Sequence, residues 1–222
     1  MAGKTNAPLQ VGILLLPPVQ LLDVAAVDLL GMFTPEYVKY FQDIPGMADL
    51  SKHARAMEFH YITEAGPGSH AELTGGVKFV VTDSLESVGR LDILVVPGPE
   101  ITYKTSPAVL AFLRQKYEEV STLFTICSGV LPVASAGILT GKAATGPLAI
   151  VPMLRAQFPD VKWEEKRWVH DGKIWSSGGI TNGLDMMAAY VRENFPAPLA
   201  ELVCKGADVG DRGVEYGTYT LK

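Results

Sequence analysis

The chain has 222 residues, 48% of them hydrophobic and 19% charged, with a net charge of −5. That composition excludes a disordered chain and leaves ample length for a core, and the lack of a basic cluster argues against a nucleic-acid partner. Two cysteines, Cys127 and Cys204, make neither a disulfide framework nor a zinc pattern, and no apolar run approaches the roughly 18 residues of a membrane span.

The opening MAGKTNAPLQ lacks the apolar core of a signal peptide, so a cytoplasmic location is expected. Residues 1–9 read as a flexible arm, and 10–222 as a single domain without repeats or linkers. VGILLLP (11–17) is a continuous apolar run stopped by Pro17-Pro18, the pattern of a strand buried on both faces. A helix is expected from Asp23 onward, with Asp23 as its N-cap. Residues 39–56 read as an irregular, functional or mobile loop. MEFHYIT (57–63) alternates as a strand, and AGPGS after it is turn chemistry.

VKFVV (77–81) and LDILVVPG (91–98) are further strands. PAVLAFLRQKYEEV (107–120) carries apolar residues at helical spacing behind an initial Pro. TLFTIC then reads as a buried strand, followed by a helix to about residue 136 and another over 148–158. RWVHDGKIWSS (167–177) predicts a hairpin turning at Asp171-Gly172, with helices over 181–194 and 198–206 behind it. Strands alternating with helices mean an α/β sandwich on a mostly parallel sheet, with sites at the carboxyl ends of the strands.

At such an end stands Cys127, between a strand and a helix. A helix start offers free N–H groups and a favourable dipole, so a lowered thiol pKa is expected there, and a sharp strand-to-helix turn projects its apex side chain into a cleft. The alternative is a small, inert core cysteine. His53, His60, His70 and His170 give weak support for a Cys–His pair. Asp23 follows the first strand at the same sheet edge, so it is either an acid–base partner of Cys127 or a helix cap. Asp28 is a second carboxylate, expected to face solvent or cap a loop. Gly98 ends its strand there too and lets backbone amides approach a ligand.

Four further features have structural readings. Cys204 sits on an apolar helix face. Trp163, Trp168 and Trp175 pack a hairpin and helix, and Met186-Met187 fill a core or wall a pocket. Phe33, Tyr37 and Phe41 follow helical spacing and bury a face.

The segments LDILVVPG, TICSG, AGILTGKAAT and RWVHDGKIWSSGGITNGLDM, in this order and spacing, resemble the ThiJ/PfpI superfamily. PPVQLLD and SSGGITNGLD further resemble the isocyanide hydratases within it. The resemblance implies a flavodoxin-like three-layer sandwich forming a homodimer, with Cys127 as nucleophile at an elbow. It implies Asp23 as catalytic partner, Ser128 as the hydroxyl residue beside the cysteine, and substrate contacts at Gly98, Gly178 and Gly179. No metal and no cofactor are implied.

Departures from the pattern are equally specific. Ser128 stands where peptidase-like members have His, Gly146 ends an AATG run where many have His, and Pro99 has no N–H to donate. Oxyanion-type donors are then sought at Gly98, Glu100 or Ser128. The reaction implied is addition of water to an isocyanide, giving an N-substituted formamide. The rivals are glyoxalase- or deglycase-type chemistry on 2-oxoaldehydes and a non-catalytic cysteine redox sensor.

Overall fold

A computed structural model describes residues 7–45 and 47–217 of the protein, with the side chain of Ala48 not described. Residues 1–6 of the expected arm lie outside these, and Leu9 already belongs to the first strand.

In chain order the strands are β1 (Leu9–Leu14), β2 (Met57–Thr63), β3 (His70–Glu72), β4 (Lys78–Val80), β5 (Asp83–Ser84) and β6 (Ile93–Val96). They continue as β7 (Thr122–Ile126), β8 (Ala143–Ala144), β9 (Lys162–Trp163), β10 (Trp168–Asp171) and β11 (Ile174–Ser177). The helices are α1 (Leu21–Ala25), α2 (Asp28–Gly31), α3 (Pro35–Val38), α4 (Pro107–Glu119), α5 (Val130–Ser135), α6 (Val151–Gln157), α7 (Thr181–Asn194) and α8 (Ala197–Gly206).

Among the described residues, seven strands form the central sheet in the order β10-β11-β7-β6-β1-β2-β5. All neighbouring pairs are parallel except the β10–β11 hairpin. Every residue of β6 and β7 is buried, which explains their near-continuous apolar sequences: each face of the strand meets a helix layer. Side chains alternate between the two layers. Ile93, Val95, Phe124 and Ile126 join a core completed by α7 and α8. Leu94, Val96 and Leu123 join the opposite core with α4, α5 and α6. The protein is therefore a flavodoxin-like three-layer sandwich.

Several expectations shift. The strand read at 77–81 pairs with β3 in a separate two-stranded sheet and takes no place in the central one, so its exposed Val80 needs no helix above it. The helix expected from Asp23 is broken into α1 and α2, and the buried Phe33 follows in the bend before α3. Within the span expected to be irregular, Lys39–Phe41 and Ala48–His53 are 3-10 turns. Leu50 there packs on the core that holds α8. Cys204 is 1% exposed in that same core. Met186 and Met187 are buried there as well, and Trp168 stacks on Trp175 within the hairpin.

Candidate active site

β7 delivers Cys127 to the carboxyl edge of the sheet, in the middle of the molecule. Cys127 adopts φ 56°, a left-handed conformation that costs a residue with a Cβ about 1–2 kcal/mol. Cys127–Gly129 form one 3-10 turn that runs directly into α5. The turn closes only because residue 129 is glycine: a Cβ there would stand 2.0 Å from the Val96 oxygen of β6. Tight packing against the neighbouring strand thus pushes the cysteine outward at the apex of an elbow, where it is half-buried.

Asp23 reaches the same place from the far side of β6. It is not the N-cap the sequence suggests, because α1 begins two residues earlier at Leu21 with Gln20 in the capping position. Asp23 lies inside that first turn, and its side chain is 0% exposed. Its Oδ2 accepts the N–H of Gly98 at 3.0 Å, and the Cys127 thiol is a further hydrogen-bonding neighbour. Oδ1 is buried with no partner among the described residues. Gly98 makes this approach possible, since a Cβ there would lie 2.5 Å from Asp23 Oδ2 and 2.6 Å from Ser128 Oγ. Its N–H serves Asp23, which removes Gly98 from the set of free oxyanion donors.

The electrostatics overturn the expected acidic thiol. The N–H groups of Ser128 and Ile180 do favour the thiolate, but burial outweighs them and the negative charge of Asp23 adds to it, so Cys127 is pushed up to about 11. With only six residues, α5 supplies little dipole to offset this. Burial likewise raises Asp23 to about 7, against the opposing pull of the Gly98 N–H and the thiol. The Ser128 hydroxyl has one proton for two acceptors. Its Oγ donates to Pro99 O at 2.5 Å, and it also bears on the sulfur. Pro99 thus enters the site as an acceptor, through the carbonyl it retains.

The elbow, the buried acid at its side and the sandwich beneath them frame a comparison with known proteins. The DJ-1/PfpI family matches residues 40–193. This chain belongs to the DJ-1/PfpI family. It is 26% identical over 200 residues to the isonitrile hydratase of Pseudomonas putida, covering 88% of this chain and 76% of that protein. It is also 26% identical over 149 residues to the HTH-type transcriptional regulator CdhR of Pseudomonas aeruginosa, covering 67% of this chain but 44% of the regulator. The crystal structure of a ThiJ/PfpI family protein from Pseudomonas syringae superposes with a TM-score of 0.73 at 19% identity, covering 97% of this chain and 78% of that one.

Within this DJ-1/PfpI frame the remaining candidates sort by position. Asp28 is exposed at the start of α2 and lines an apolar groove with Phe59 and Tyr61, and it is not among the thiol's described partners. His60 is held between Asp83 (3.0 Å) and Gln10 (2.7 Å). His170 is exposed in the hairpin, where it stacks on Trp175 and bonds the Gly172 oxygen. Since Ile174 pairs with Leu123 at the amino end of β7, that hairpin turn lies at the edge of the sheet opposite Cys127. At Gly146 a Cβ would meet Leu154 Cδ1 at 2.8 Å, so any larger residue there requires Leu154 to shift.

Gly178 and Gly179 continue β11 toward α7. Gly178 packs under Tyr216, whose hydroxyl bonds Asn182 Nδ2 at 2.9 Å. Gly179 lines a cavity of about 510 Å3 together with Ile180, Asn182, Arg167 and Tyr216. Sequence reasoning missed Ile180 and Tyr216. Ile180 acts through its backbone, which leaves no trace in side-chain chemistry, and Tyr216 lies in a polar tail that carries no periodic signal.

Proposed function

We propose that the protein hydrates isocyanides to N-substituted formamides, with Cys127 as nucleophile and Asp23 as acid and base. The observation that carries this reading is the pair itself: a half-buried thiol beside a wholly buried carboxyl, with one carboxyl oxygen that has no partner among the described residues. The 26% identity to an isonitrile hydratase across most of both chains supports it.

Above about pH 7 the pair holds one proton, which rests on sulfur because the thiol is the weaker acid. As the sulfur attacks the terminal carbon of R–N≡C, Asp23 takes the thiol proton and passes it to that carbon, leaving a thioimidate, Enz–S–CH=N–R. Water then adds to the thioimidate carbon as Asp23 accepts its proton. Protonation of nitrogen and expulsion of the sulfur release R–NH–CHO. The N–H groups of Ser128 and Ile180 stabilise the sulfur while it carries charge, at attack and again at release. Gly98 holds Asp23, and the Ser128 hydroxyl spans Pro99 O and the sulfur.

A thiol held protonated to about 11 is a poor peroxide trap, which weighs against the redox-sensor reading. The missing histidine at Gly146 weighs against 2-oxoaldehyde chemistry. Incubation with an aryl isocyanide decides between them: formamide appears with the wild type and not with Cys127→Ala. Methylglyoxal turnover exceeding isocyanide turnover would replace this reading.

We further propose a homodimer. The groove of about 370 Å3 lined by Leu21, Phe59, Tyr61 and Phe79, with Leu22 50% exposed in the same α1, is apolar surface that a second copy would cover. Among the described residues no helix is long and apolar enough to cross a membrane.

A further inference from the structure

The cavity beside Ile180 carries a charge that the hydration chemistry does not use. It measures about 510 Å3, a fitting size for a small organic ligand, and lies between the Pro147–Ala149 segment, the first turn of α7 and the C-terminal segment. Arg167 and Arg212 line it, and among the described residues no carboxylate does. The two cations differ in kind. Arg212 is committed within the protein: its Nε lies 3.0 Å from both carboxyl oxygens of the buried Asp185, and its Nη2 bonds the same group. Arg167 is half-buried and donates to the backbone oxygens of Glu215 (3.2 Å) and Tyr216 (3.4 Å), with its guanidinium carbon 5.2 Å from the Tyr216 ring.

Carbonyl oxygens and a ring face orient a guanidinium without neutralising it, so Arg167 keeps a full positive charge at the cavity wall. The amino end of α7, a 14-residue helix, adds the same sign through Thr181 and Asn182. Ile180 belongs both to this cavity and to the hydrogen-bonding shell of the Cys127 sulfur. The cavity and the sulfur thus share Ile180 as a common neighbour.

We infer that this cavity takes the substituent of the substrate and selects a carboxylate there, with Arg167 reading the charge. The inference rests on the proposed hydration and names its substrate class: isocyanides that carry an acid group, as an amino-acid skeleton would supply.

The test compares isocyanoacetate with its methyl ester in the wild type, Arg167→Gln and Arg167→Lys. The wild type prefers the acid by about tenfold or more in kcat/KM, the scale of a charge-assisted hydrogen bond. Arg167→Gln brings the ratio close to one, and Arg167→Lys, which keeps the charge, retains part of it. Absence of a preference in the wild type, or its complete loss in both variants alike, overturns the inference. A second arm titrates N-formylglycine, the unreactive product, into the wild type and Arg167→Gln by calorimetry, with binding expected to weaken about tenfold in the variant. Turnover of both isocyanides without discrimination removes the subsite alone. Charge-dependent binding of N-formylglycine without any isocyanide turnover removes the hydratase reading and leaves the subsite standing.

Discussion

Asp23 is wholly buried beside a half-buried thiol, and two acids so placed do not both give up their protons. The pair loses its first proton near 7 and its second near 11, values that belong to the pair as a unit. If hydration needs the singly protonated form, kcat/KM rises as pH passes through about 7 and falls only in the alkaline range near 11. Replacing Asp23 with Asn keeps an oxygen for the Gly98 N–H and removes the titration. Asp23→Asn is expected to abolish the ascending limb and cost at least about a hundredfold in rate, measured as a pH–rate profile on an isocyanide. The same substitution deletes the negative charge that adds to burial in holding the thiol up. Thiolate absorbance in Asp23→Asn is therefore expected to appear at lower pH than in the wild type, and an unchanged thiol pKa would separate the two side chains and remove the shared-proton mechanism.

At the scale of elements, the elbow depends on how closely β6 and β7 approach beneath it. Gly129 sits against the Val96 backbone, and that backbone cannot yield because Val96 is paired with Thr125 in the middle of the sheet. Gly129→Ala is expected to destabilise the fold by about 1–3 kcal/mol and to tilt Cys127 away from Asp23. Chemical denaturation together with alkylation kinetics at Cys127 measures both effects, and a variant with native stability and native alkylation rate refutes the steric account. The strand patterns of β2, β6 and β7 are legible in the sequence because burial on one or both faces leaves a hydrophobic period. The 3-10 turn over Ala48–His53 is not legible, because its Leu50 packs on a core that the distant α8 completes. The β3–β4 sheet shows the same limit: the apolar run over 77–81 reveals a strand but not which sheet it joins.

For the whole molecule, the buried carboxyl has a thermodynamic consequence. The folded protein holds the Asp23 proton more tightly than the unfolded chain does, with a pKa near 7 against an ordinary 3.8. The stability this proton confers is complete below about 4 and is lost as pH rises through about 7, a loss on the order of 4 kcal/mol. Denaturant midpoints measured from pH 4 to 8 should fall in the wild type and fall less in Asp23→Asn, which carries no group to ionise. Equal slopes in the two proteins would place the titration elsewhere. A site that spends folding stability on a buried acid is consistent with a catalytic use for that acid.

The sequence alone determined the parallel α/β architecture, the position of Cys127 at a strand end and the family resemblance, because all three are written in hydrophobic period and in turn residues of fixed spacing. It left Asp23 undecided between a cap and a partner, and it pointed to an acidic thiol. Tertiary structure reversed the second and removed the cap reading from the first, since the pKa of a group depends on how much water its neighbours exclude and which charges they bring. Those neighbours, Gly98, Ser128 and Ile180, come from three separate strand ends, and chain order does not record that they meet.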